Sequence, residues 1–110
     1  MKKLFILILL HFSLYASNQG DPDKGLTYYK FIIRPMIDIK GNEFTIQHTK
    51  KEWEELFLND AKSFKDKYKS LDSTFTNFLE SGKFKKISPD LKAFFIYYAK
   101  DSDIKPQCAE

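Results

Sequence analysis

Outside an apolar leader the chain holds one histidine, His48, and one cysteine, Cys108. An imidazole can ligate a metal or a haem iron, so His48 is the candidate cofactor-binding residue, holding haem non-covalently through a ring nitrogen. A zinc site needs several Cys, His or carboxylate ligands together, and no second histidine or neighbouring cysteine stands beside His48. The position also offers a structural role. His48 directly precedes Thr49-Lys-Lys-Glu52, a capping box, which sets the imidazole where a staple would press onto Trp53. Cys108 follows Pro106 in a polar tail with no His or Asn after it, so nucleophilic catalysis is disfavoured. A lone exported thiol pairs between molecules, which makes Cys108 the candidate for a mixed disulfide or a disulfide-linked dimer.

The carboxylates group as Glu52, Glu54 and Glu55, and as Asp101 with Asp103. An acid–base pair needs two carboxyls in opposed environments within a cleft. These sit among lysines, the pattern of a solvated face. Lys50-Lys51 and Lys83-Phe84-Lys85-Lys86 would attract an acidic partner surface but are too short, and too balanced by acids, for a nucleic-acid footprint. Glycine-rich phosphate loops, nucleophile elbows and metalloprotease motifs do not occur. The expectation is a protein with no catalytic residues, not an enzyme.

These residues must be delivered and positioned. Residues 1–16 carry Lys2 and Lys3, an unbroken apolar run from Leu4 to Leu10, and a small residue at Ala16. This is the layout of a secretory signal peptide, cleaved after Ala16. The run falls short of the roughly 18 or more apolar residues that span a membrane. The alternative is an uncleaved N-terminal anchor. No cysteine near the cleavage point would take a lipoprotein anchor. Two lysines and no arginine pair suggest a Sec-type route and a periplasmic location. Removing the leader takes the net charge from +3 to +1, so the basic balance is no argument for a nucleic-acid partner.

The remainder, 17–110, is expected to be one helical domain with a polar tail at 101–110. Of the 110 residues 16% are aromatic, which suits a small core filled by rings, and a single cysteine excludes an internal disulfide framework. Asp21-Pro22-Asp23 reads as a helix start, and Leu26, Tyr29, Ile32 and Ile33 give the following helix an apolar stripe. Pro35 is expected to stop it, with a loop or irregular strand pair from Met36 to Thr45 around Gly41-Asn42. The second helix starts at the capping box and presents Trp53, Leu56 and Phe57; Asn59-Asp60 either breaks it or lets it run on through Phe64 and Tyr68. A third, short helix holds Phe75, Phe78 and Leu79, with Gly82 as a left-handed cap. Lys83 to Lys86 reads as a connector, and Ser88-Pro89 as the start of a fourth helix carrying Leu91, Phe94, Phe95 and Tyr98.

Three of these segments resemble small class I cytochromes c. Asp23-Lys-Gly25-Leu-Thr-Tyr28-Tyr29-Lys is similar to their N-terminal helix, where a glycine and an aromatic residue precede the haem-attachment motif. Leu91 to Ser102, followed by Pro106 and Cys108, resembles their aromatic C-terminal helix and tail. His48-Thr49-Lys-Lys-Glu-Trp53 is similar to a helix start seen in such periplasmic proteins. The resemblance implies an all-α domain whose first and last helices cross. It also implies C-x-x-C-H after the first helix, but Ile33-Arg-Pro-Met36-Ile37 stands there, without the thiols covalent haem requires. Met36 lies on the wrong side for the usual distal ligand.

The fold expected is therefore all-α, a single domain of three to five helices, cytochrome-c-like but without covalent haem. The function expected is non-catalytic, through contacts with a redox or envelope partner. The alternative is electron transfer or haem binding, with haem held non-covalently by His48.

Overall fold

The computed structural model describes residues 20–104, so the leader at 1–16 and Cys108 lie outside the described residues. Asp21 starts the first helix as expected: its Oδ1 accepts the Asp23 N–H at 2.9 Å, and Pro22 fills the first position. Helix α1 then runs over 22–37 in three parts, an α segment Pro22–Tyr28, a π turn Tyr29–Ile33 and a closing turn Arg34–Ile37. Pro35 does not stop the helix. The wider π turn, in which the Arg34 N–H reaches back to the Tyr29 carbonyl, sets Pro35 into the first turn of a fresh α segment, where its missing N–H is tolerated. The helix ends instead at Asp38, in the left-handed conformation at φ 54°.

Residues 36–45, expected as loop or strand, are helical at both ends. A turn Gly41–Phe44, with a 3-10 extension Thr45–Gln47, forms α2. Local propensity gives no hint of it. Tertiary packing does the work: Phe44 is fully buried between Tyr29, Tyr68 and Phe95, with ring centroids 5.4, 5.0 and 5.1 Å away.

Helix α3, Lys50–Leu56, begins with the expected capping box. The Glu52 N–H donates to Thr49 Oγ1 at 3.2 Å, and the Thr49 N–H donates to Glu52 Oε1 at 2.8 Å. The break at Asn59-Asp60 is present. Asn59, Asp60 and Ala61 take positive φ values of 54°, 62° and 60°, turning the chain before α4, Leu58–Tyr68, continues to Phe64 and Tyr68. Helix α5, Ser73–Leu79, is capped by Asp72, whose Oδ2 accepts the Phe75 N–H at 3.0 Å.

The last helix starts a full two turns earlier than its Ser-Pro pair suggests. Helix α6 spans Gly82–Tyr97 with Ser81 as its cap; Gly82 is its first residue, not a left-handed cap, and Pro89 lies inside it. Burial explains the extension. Phe84 and Ile87, three residues apart, continue the stripe of Leu91, Phe94 and Phe95 onto the core, while Pro89 faces solvent.

Helix α1 makes its most extensive contact with α6. The crossing is close at Gly25, where an added Cβ would collide with the Asp90 carbonyl oxygen and the Phe94 side chain. The Asp21 N–H also donates to Asp90 Oδ1 at 2.8 Å. The result is an all-α globule of six helices with no strand among the described residues, against the three to five expected. The difference lies in α2, which packing alone induces, and in the break at Phe57 that divides α3 from α4.

Candidate functional site

His48 is held between the end of α2 and the capping box, in an extended backbone conformation. Its ring packs edge-on against Trp53, centroids 4.7 Å apart and planes at 85°, the staple contact the sequence suggested. The side chain is only 15% exposed. A hydrogen-bonded pair beside it, Tyr68 from 20 residues on and the adjoining Gln47, could not be read from the local pattern. Tyr68 donates its hydroxyl proton to Gln47 Oε1 at 2.7 Å, and its oxygen lies 3.0 Å from His48 Nε2. With that proton committed to Gln47, the Tyr68 oxygen accepts from His48 Nε2–H. The neutral imidazole therefore carries its proton on Nε2, and Nδ1 faces Glu52 Oε1 at 3.9 Å.

The electrostatics follow from this enclosure. Burial, and then the Lys67 ammonium, hold the His48 pKa below its ordinary 6.5, with Glu52 opposing them. Burial pushes the Tyr68 phenol up to about 12, so it remains a neutral hydrogen-bonding group. Glu52 is held below the usual carboxylate range, chiefly by the Thr49 N–H it accepts.

As a haem ligand His48 would have to offer a lone pair to iron. Nε2 gives its proton to Tyr68, so ligation through Nε2 would require that bond to break, while the lone pair on Nδ1 faces the Glu52 carboxylate at 3.9 Å. A groove of about 800 Å³ runs along α6 and does not include His48 among its lining residues. Among the described residues no three His, Cys, Asp or Glu side chains converge to hold a metal ion, and no helix is long and apolar enough to cross a membrane.

The acidic groups separate. Glu52 belongs to the capping box, while Asp101 reaches across the fold to accept the Lys50 N–H at 2.9 Å. Beside it the Lys100 N–H donates to the His48 carbonyl at 3.0 Å, so the segment after α6 closes over the start of α3. Asp101 is 51 residues from Lys50, and no local pattern announces that role. Glu54 borders the α6 groove, and Glu55 and Asp103 are exposed. Met36 is half-buried against the core.

No protein-family model, no curated protein and no solved structure matches the chain.

Proposed function

We propose that this is an exported, periplasmic, non-catalytic protein with a cytochrome-c-like arrangement of helices, acting through contact with a protein of the cell envelope. The observation that carries this reading is Phe31. It is the most exposed large apolar side chain among the described residues, at 68%. It sits in the π turn of α1, an irregularity that recurs at functional sites, and the Lys30 ammonium lies 5.7 Å from its ring centroid. An exposed aromatic ring beside a cation is the composition of an interface anchor. The cytochrome-c-like part of the reading is supported by the crossing of α1 over α6 at Gly25, the glycine of the resembling segment.

The test is a photo-crosslinking amino acid placed at position 31, and at exposed Lys83 as a comparison, in intact cells that express the chain. A single discrete adduct from position 31 and none from position 83 is expected. Equal or absent adducts at the two positions would contradict the reading.

A further inference from the structure

We infer that the groove along α6 binds a single-chain anionic amphiphile, an alkyl carboxylate, with its head between Lys85 and Lys92 and its tail toward Tyr97. The groove's volume, about 800 Å³, falls within the range of small-molecule sites. Its α6 wall sets cations beside apolar surface that includes Phe84 and Pro89. Lys85, Ser88 and Lys92 follow at i, i+3 and i+7 and so share one face, with a hydroxyl between two ammonium groups. Ala93, Ile96 and Tyr97 then continue the same wall as apolar surface. From Ser88 to Tyr97 the helix rises about 13 Å, room for a medium-length alkyl chain.

The facing wall comes from α3 and α4. Phe57 supplies apolar surface there, and the Lys65 ammonium lies 5.8 Å from the ring centroid of buried Phe84. The lining's carboxylates, Glu54 and Asp60, also stand on this wall. They repel a negative head from it and favour the α6 side.

Charge accounting points the same way. Lys69 pairs with Asp66, and the neutral His48 stands beside Glu52. Lys65, Lys85 and Lys92 have no carboxylate partner within 4.0 Å among the described residues. Cations that edge an apolar concavity without internal partners are complementary to an acid with an apolar tail.

The experiment is calorimetric titration of the full chain with dodecanoate below its micelle concentration. Dodecyltrimethylammonium and butyrate, which exchange the head charge or lose the tail, are titrated beside it. One saturable site for dodecanoate is expected, at least ~10-fold tighter than for either comparison ligand. The double variant Lys85→Glu/Lys92→Glu, both on the helix surface, is expected to weaken it ~10-fold or more with an unchanged circular dichroism spectrum. Ala93→Trp, which fills the groove without altering charge, is expected to weaken it too. No saturable binding, equal binding of the cationic ligand, or binding indifferent to the double variant would overturn the assignment.

Discussion

At the residue scale, His48 and Thr45 show polar groups treated in opposite ways. His48 has its hydrogen bond to Tyr68, made by the neutral imidazole. Its pKa is lowered in the fold, so the neutral form is the one the native state prefers. The stability this contributes is complete above the unfolded value of 6.5 and is lost as pH falls through the lower folded value. Glu52, also lowered, adds a second loss as pH falls below its unfolded value of 4.5. The midpoint of thermal unfolding is therefore expected to fall between pH 7 and pH 5, and this slope should flatten in His48→Gln. Thr45 is the opposite case. It is fully buried, its carbonyl accepts the Trp53 indole N–H at 3.0 Å, and its Oγ1 has no hydrogen-bond partner. Thr45→Val keeps the shape and removes the unpaired hydroxyl, and urea unfolding should show a gain of about 1 kcal/mol. His48 was legible from its place before the capping box. Tyr68 and Gln47 were not, because a side-chain bond across 20 residues leaves no periodic trace.

At the scale of the elements, the sequence was clearest where a helix start is chemically local. Asp21-Pro22 and Thr49-Lys-Lys-Glu52 are written within four residues, and both caps form as read. It misled at the prolines. Pro35 and Pro89 read as boundaries, yet a π turn admits the first and the burial of Phe84 and Ile87 carries α6 through the second. A proline's local cost of ~3 kcal/mol in a helix interior is offset when the apolar stripe on both sides reaches one core. Phe84 and Ile87 were visible as part of that stripe, and the Ser88-Pro89 start obscured them. The α1–α6 crossing rests on Gly25, where the backbones meet. Gly25→Ala gains ~1 kcal/mol of helix propensity but forces the Asp90 carbonyl and Phe94 to move, and a net loss of ~2–3 kcal/mol is expected in denaturant unfolding. An unchanged midpoint would mean that the two helices do not touch there.

At the scale of the whole molecule, six helices close around rings. Phe95 alone lies within 6.1 Å, centroid to centroid, of Tyr29, Phe44, Trp53, Phe57, Phe64 and Phe94. A core so composed leaves its polar side chains to caps and crossings, and chemistry on other molecules would fall to the surface. Partner contact was expected from the cytochrome-c-like resemblance, but Phe31 was not singled out. Helical spacing already sets Phe31 about 200° from Tyr29, off the stripe of Leu26, Tyr29, Ile32 and Ile33, so its exposure was legible while a role as an anchor was not. Cys108 would seal such a contact in an oxidising compartment: non-reducing electrophoresis is expected to show a larger species that Cys108→Ser abolishes without changing the unfolding midpoint. Alkylation of the thiol only after denaturation would show it buried and unavailable.

The central claim is that the protein works by holding a partner through the Phe31 face. Its most direct test is the native mass of the chain in gently solubilised envelopes, compared with that of Phe31→Glu. The wild-type chain is expected in a discrete complex well above its own mass, and Phe31→Glu, folded by circular dichroism, at the mass of the free chain. Two chains of the same native mass, whether both free or both in the complex, would contradict it.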